Sequence, residues 1–202
     1  MSPQDNETSL TLLDRLRADQ GDAWERMLEL YAPLVRYWCR KCELPTEDTA
    51  DVFQETFRAV AAHIGDFDKD DQRGSFRGWL RTITANKIRD HYRRQAGKAL
   101  APGGTAAQMH LQSMPDPLAD MDQDAELDVM SDALQRVLSW IEGDFEERTW
   151  TAFYRAQIEE HATDDIAADL GLTPAAVRKA KYRVLRRLRE ELEGIIDFPA
   201  NR

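Results

Sequence analysis

Several features are scarce in this sequence of 202 residues, and each absence narrows the classes of protein it could belong to. No apolar run approaches the ~20 residues that a membrane-spanning helix needs. The N-terminal segment MSPQDNETSL has no basic region followed by an apolar core, so it does not resemble a secretory signal. We therefore expect a cytoplasmic protein, with a length that allows one domain or two small ones.

Cysteine is also scarce, because Cys39 and Cys42 form a single C-x-x-C pair. A zinc site needs about four ligands, and the sequence has no second cysteine pair. The histidines that would have to complete such a site are scattered: His63, His91, His110 and His161. The other interpretations are a redox dithiol and two small residues on a helix. We predict no metal and no other cofactor.

Positive charge is in the minority, since the formal net charge is −10. Such a balance argues against indiscriminate nucleic-acid binding, because the mean field of the protein repels phosphate. Any DNA contact must therefore be local or depend on a partner. Two stretches, 73–94 and 178–189, are nevertheless strongly basic.

The first basic stretch, RGSFRGWLRTITANKIRDHYRR, contains only one acid, Asp90. Its cations are Arg73, Arg77, Arg81, Lys87, Arg89, Arg93 and Arg94. The aromatic residues Phe76, Trp79 and Tyr92 are interleaved with them. Cations neutralise phosphates and flat rings stack on exposed bases, so this mixture is typical of surfaces that handle single-stranded nucleic acid.

Helical spacing of apolar residues and sparse turn signals predict an all-α fold. We expect helices over 10–17, 24–39 and from 45 onward, a polar loop at 65–74, and a helix from 76 to about 94. Trp79, Leu80 and Ile83 are predicted to face the core. Pro33 should bend or divide the second helix.

Between 97 and about 124 the helical pattern dissolves, and no Lys or Arg occurs between Ala99 and Met130. Glycines and prolines break the first part and aspartates dominate the second, which predicts a flexible acidic linker. Such a linker either mimics nucleic acid in a positively charged channel or is only a solvated tether.

The last segment predicts a helix-turn-helix. Thr163 should cap a short helix that Gly171 ends, and Thr173 should cap a second helix with Pro174 at its first position. No acid occurs between Pro174 and Arg189, whereas a surface helix usually mixes signs. A basic second helix after a short turn is the arrangement that reads duplex DNA.

Three segments in register resemble bacterial RNA polymerase sigma factors of the extracytoplasmic-function (ECF) group. They are DVFQETF (51–57), SFRGWLRTITANKIRDHYRR (75–94) and DDIAADLGLTPAAVRKAKYRVLRRLRE (164–190). The resemblance implies two small helical domains, sigma region 2 at 10–96 and sigma region 4 at 127–196. A disordered N-terminus at 1–9 and a linker at 97–126 complete the expected organisation.

The resemblance also implies roles for particular residues. The helix at 51–57 would dock on the β′ clamp of core RNA polymerase through Asp51, Gln54 and Glu55, while region 4 would contact the β flap. A base of the minus-ten element would be flipped out of the stack and held in a pocket lined by Asn86. Phe67 would be the aromatic residue of the loop above this pocket. Phosphates of that strand would be held by a set of cations: Arg77, Arg81, Lys87, Arg89, Arg93 and Arg94.

The second basic helix resembles the helix that reads the minus-thirty-five element in the major groove. Its expected contact residues are Arg178, Lys179, Tyr182, Arg183 and Arg186. The commonest sequence motif of the family has other residues at three positions of this segment, which here are Ala175, Ala176 and Lys179. The promoter sequence that the helix reads is therefore undefined. Members of the family are commonly restrained by an anti-sigma protein, so such a protein is a further expected partner.

Three functions compete at this point. The first is a non-catalytic sigma factor that directs promoter recognition, melting and transcription initiation. The second is a stand-alone helix-turn-helix regulator that binds duplex DNA without polymerase. The third is a redox enzyme built on Cys39 and Cys42, which no nucleophile–base constellation and no phosphate-binding glycine loop supports.

Overall fold

The computed structural model describes residues 11–68, 75–99, 116–119 and 122–196, and within these ranges every regular element is helical. The predicted all-α fold is therefore confirmed. In chain order the α-helices are α1 (Leu12–Arg17), α2 (Gly21–Lys41), α3 (Thr46–His63), α4 (Phe76–Ala99), α5 (Gln123–Ile141), α6 (Glu147–Gln157), α7 (Thr163–Leu170) and α8 (Pro174–Glu191). Single 3₁₀ turns follow α3 at Ile64–Asp66 and α5 at Glu142–Asp144. No helix in these ranges is both long and apolar enough to cross a membrane.

The first four helices pack around α2. Apolar residues of α2 recur every three or four positions, and Met27, Leu30 and Leu34 are completely buried. Val52 and Val60 of α3 and Leu80 and Ile88 of α4 are buried in the same core. The helical spacing seen in the sequence thus becomes a single apolar interior.

Pro33 lies inside α2, which runs unbroken from Gly21 to Lys41. The helix is therefore not divided at Pro33, and the alternative, a bend at this residue, stays a prediction. An internal proline costs a helix roughly 3 kcal/mol, because it removes one backbone hydrogen bond and crowds the preceding turn. Fully buried residues on both sides of Pro33, including Leu30 and Leu34, fix the two halves in one core and offset that cost.

The C-terminal helices form the predicted helix-turn-helix. Gly171 ends α7 with φ +59°, a left-handed conformation that favours glycine. The side chain of Thr173 accepts a hydrogen bond from the Ala176 amide at 3.1 Å and caps α8, as expected. Thr163 does not cap α7, however: the cap is Ala162, which has no side-chain acceptor, and Thr163 is the first helical residue.

The two halves of the chain share one hydrophobic core, in which α2 packs against α5. At this junction the indole Nε1 of Trp38 donates to Glu126 Oε1 at 2.8 Å, with both residues buried. The phenol of Tyr31 donates to the carbonyl of Ile195 at 2.6 Å. Gly194 has φ +80°, and a Cβ atom there would stand 2.7 Å from Leu13 Cδ2, so a larger residue would be strained and would displace the Leu13 side chain. The first four helices and the last four therefore pack against each other in the free chain.

A buried carboxylate adds ion pairs to this contact between the first four helices and the last four. Glu191, at the end of α8, is 2% exposed. Its Oε1 lies 3.1 Å from Arg15 Nη1 and 2.7 Å from Arg26 Nη1, and its Oε2 lies 3.1 Å from Arg187 Nη1. Because a buried charge is tolerated only when it is paired, this cluster ties α8 to α1 and α2.

Candidate nucleic-acid and protein interfaces

The basic helix α4 has a buried side and a polar side. Phe76, Leu80, Thr84 and Ile88 recur every four residues and are buried, and the Thr84 hydroxyl is satisfied by donating to the carbonyl of Leu80 at 2.8 Å. The remaining positions carry the expected DNA-binding residues. Among these, Asn86, Arg93 and Arg94 are exposed, and Arg77, Arg81, Lys87 and Arg89 are half-buried.

Two of these arginines share one carboxylate. Arg81 Nη1 lies 3.5 Å from Asp116 Oδ2, and Arg89 Nη2 lies 3.6 Å from Asp116 Oδ1. Arg89 also donates to the side-chain oxygen of Asn86 at 2.6 Å. The structure thus joins three of the predicted minus-ten residues into one polar cluster, and it adds Asp116, whose position against α4 no local sequence pattern indicates.

Two arginines nearer the C-terminal end of α4 are also paired with acids. Arg93 pairs with Asp90 one turn earlier on the same helix. Arg94 Nη1 lies 2.7 Å from Glu55 Oε1 on α3, and this hydrogen bond holds the pKa of Glu55 below its ordinary value. Glu55 therefore links the expected polymerase-binding helix to the expected DNA-binding helix.

Phe67 is only 1% exposed. Its ring centroid lies 5.4 Å from that of Phe76, edge-on, and 5.1 Å from that of Trp79. Arg17 of α1 donates to the carbonyl of Phe67. In this conformation Phe67 belongs to the core, so its expected contact with a flipped base stays a prediction that requires the loop to rearrange. The rest of that loop, including Arg73, lies outside the described residues.

The expected polymerase-binding residues lie on α3, where Asp51 and Gln54 are exposed and Glu55 is half-buried. Beside Gln54, a groove of about 510 Å3 opens between α2 and α3. Two exposed arginines of α2, Arg36 and Arg40, line the groove together with Phe53. The guanidinium carbon of Arg36 lies 5.0 Å from the centroid of the Phe53 ring, a cation–π contact.

Sequence reasoning missed this groove. The available signal was the placement of Arg36 and Arg40 one turn apart on α2, on the side opposite its most buried residues. An apolar floor with cations at its edge suits a partner that presents acidic and apolar side chains together.

The basic face of α8 is open to solvent. Val177, Ala180, Val184 and Leu188 form its buried side. All five predicted minus-thirty-five residues are exposed: Arg178, Lys179, Tyr182, Arg183 and Arg186. Arg186 pairs with Glu190 at 3.4 Å. Arg178, Lys179 and Arg183 have no acid within ion-pair distance among the described residues.

A further arginine braces the turn in front of α8. Arg148 of α6 donates from Nε to the carbonyl of Leu170 at 2.9 Å and from Nη2 to the carbonyl of Gly171 at 3.0 Å. These are carbonyls at the end of α7, which lack partners within the helix. Arg148 therefore ties α6 to the turn between α7 and α8, a role that local sequence does not reveal.

The two cysteines are free thiols. Burial raises the pKa of the Cys39 thiol to about 12, and burial together with the carboxylate of Asp116 raises that of Cys42. Reactive and metal-binding cysteines act as thiolates, so a raised pKa opposes both functions. No group of three or more metal-ligating side chains occurs in the described ranges.

Comparisons with known proteins agree with the geometry of the first half. The family model "Sigma-70 region 2" matches residues 27–98, which include most of α2 and all of α3. The RNA polymerase sigma factor NccH of Alcaligenes xylosoxydans xylosoxydans is 36% identical to this chain over 76 residues. That match spans 37% of this chain and 39% of NccH. Residues 27–98 therefore resemble Sigma-70 region 2, and the expected resemblance to sigma factors is confirmed.

Proposed function

We propose that this chain is an ECF sigma factor, a non-catalytic subunit that binds core RNA polymerase in the cytoplasm and directs promoter recognition, melting and initiation. The observation that carries the proposal is the presence, in one chain, of a match to Sigma-70 region 2 and a helix-turn-helix whose second helix presents exposed cations. The proposed organisation is region 2 at 10–96, a linker at 97–126 and region 4 at 127–196.

Polymerase binding is assigned to the exposed side of α3, through Asp51, Gln54 and Glu55. The adjoining groove supports this assignment, because it combines Arg36, Arg40 and an aromatic floor next to Gln54. The β′ clamp is the proposed partner of this surface, and the β flap that of region 4. An anti-sigma protein that covers these faces is a further proposed partner.

Strand separation is assigned to α4. Asn86 is exposed and presents an amide that can hydrogen-bond the edge of a flipped base. Cations along the same helix would hold the strand by its phosphates, which positions the bases without reading them. The duplex upstream is assigned to α8, where arginine can read guanine in the major groove.

Mixing purified components tests this function against the alternative of a stand-alone regulator. Core polymerase is incubated with genomic DNA fragments, with and without the chain, and transcript 5′ ends are mapped. We expect new start sites that require the chain. Tight specific duplex binding by the free chain, with no start site gained on adding core polymerase, would identify a stand-alone regulator instead.

A further inference from the structure

Residues 116–119 lie on the α4 surface that the proposed function assigns to the minus-ten strand. We propose that this segment is an internal competitor for DNA, in which the carboxylate of Asp116 takes the place of a strand phosphate. The inference rests on the proposed function only for the assignment of α4 to DNA. The free chain would then hold two cations of its strand-binding surface, Arg81 and Arg89, occupied by residues 116–119.

The first support is the geometry of the shared carboxylate. Each oxygen of Asp116 faces a different guanidinium, Arg81 at 3.5 Å and Arg89 at 3.6 Å. These two arginines stand eight residues apart on α4, roughly 12 Å along the helix axis. A phosphate also offers anionic oxygens to two arginines, so Asp116 and a DNA strand require the same donors.

The second support is that the segment is anchored. Leu118 is completely buried, and its carbonyl accepts a hydrogen bond from Arg81. Its amide donates to Asp116 Oδ1 at 3.0 Å, which fixes the direction of the carboxylate. On the other side, the thiol of Cys42 donates to the carbonyl of Pro117 at 3.4 Å. Asp116 is therefore held against α4 by its neighbours as well as by charge.

The third support is that the contact reaches the proposed base-reading residue. Arg89 holds Asp116 with Nη2 and donates to the Asn86 side-chain oxygen with Nη1. While the segment is in place, Arg81 is engaged by Asp116 and Leu118, and Arg89 is engaged by Asp116 and Asn86. A strand must displace the segment before its phosphates can take the place of Asp116 on these two guanidinium groups.

The contact is strong enough to compete and weak enough to be released. The side chains of Arg81, Arg89 and Asp116 are 31%, 29% and 36% exposed, so solvent and salt screen both ion pairs. A DNA strand presented by a polymerase-bound chain brings several phosphates at once and can displace a single carboxylate.

The test measures binding of the full-length free chain to a fluorescein-labelled oligothymidylate of about 20 nucleotides, by fluorescence anisotropy. Asp116→Asn should tighten binding by about three- to ten-fold, because it removes two partly exposed ion pairs. The matched control is Asp132→Asn, which makes the same change of net charge at an exposed position on α5. It should change binding by less than about two-fold.

A second variant separates the segment from its charge. Leu118→Ala removes the buried anchor and keeps Asp116, and it should also tighten binding. In an Arg81→Ala background, the gain from Asp116→Asn should shrink. Equal binding by Asp116→Asn and Asp132→Asn, or a gain that is undiminished after loss of Arg81, would overturn the proposal. Failure of the proposed function would show separately, as no start sites gained by the wild-type chain with core polymerase.

Discussion

The basic helices α4 and α8 both carry many cations, but the two helices differ in whether acidic side chains pair with those cations. On α4, Arg81, Arg89 and Arg94 are all paired with acids that come from other segments. On α8, Arg178 and Arg183 have no acid within reach among the described residues and are exposed to solvent. The sequence thus indicates a basic surface on both helices, but only the tertiary structure shows which cations are free to bind DNA.

The comparison suggests an order of events for the proposed function. In the free chain α8 can contact duplex DNA at once, whereas α4 must first release its acidic partners. This order suits a protein in which strand contact is useful only after the duplex has been located.

The largest expected effect concerns the attachment of α8. Glu191→Gln should lower the free energy of unfolding by about 3 kcal/mol, because it leaves Arg15, Arg26 and Arg187 around an uncharged group. Urea denaturation measures this loss. Glu190→Gln is the matched control, since Glu190 is exposed and pairs with the exposed Arg186, and it should cost less than about 1 kcal/mol. Equal losses would mean that Glu191 does not tie α8 to the first half.

The second effect concerns the open surface of α8. Arg183→Ala should weaken binding of the free chain to a duplex selected from random DNA by about ten-fold, the value of one arginine–guanine contact. Its unfolding free energy should change by less than about 0.5 kcal/mol, because Arg183 is exposed and unpaired among the described residues. Arg136→Ala removes an exposed cation from α5 and serves as the control. Equal weakening by both variants would assign the binding to net charge.

The smallest effect concerns the acid partners of α4. The pair with Arg94 lowers the folded-state pKa of Glu55 below its unfolded value, so the pair stabilises the fold above the unfolded pKa. This contribution is lost as pH falls through the lower folded-state pKa. Glu55→Gln should therefore destabilise the chain at neutral pH by less than about 1 kcal/mol, and match the wild type at strongly acidic pH. Unfolding curves at both pH values measure the difference, and a gap that persists in acid would contradict the pairing.

Local rules were sufficient for much of the fold. The caps and stops around α8 depend on neighbours within four residues, so Gly171 and Thr173 could be assigned from sequence. Thr163 failed the same rule because the backbone enters α7 one residue earlier. Pro33 does not divide α2, because the burial of residues on both sides offsets the local penalty.

The packing of the first four helices against the last four could not be predicted, because it depends on residues that are far apart in the sequence. Helical spacing shows that Trp38 is buried but not that its indole meets Glu126, 88 positions away in sequence. The candidate sites divide in the same way. The exposed cations of α8 follow from helix periodicity, whereas the pairing of Arg81 with Asp116 and the burial of Phe67 follow only from the tertiary fold.

We propose that α4 separates promoter strands once the chain is bound to core polymerase. Permanganate reactivity of unpaired thymines measures this separation, on a promoter mapped with the wild-type chain. We expect reactive thymines near the start site only when chain and core are both present. We also expect about ten-fold weaker reactivity for Asn86→Ala, with core binding retained and with Thr82→Ala, another exposed position on α4, unaffected. Unreactive thymines with the wild-type chain and core together, or equal loss of core binding and reactivity for Asn86→Ala, would contradict the proposal.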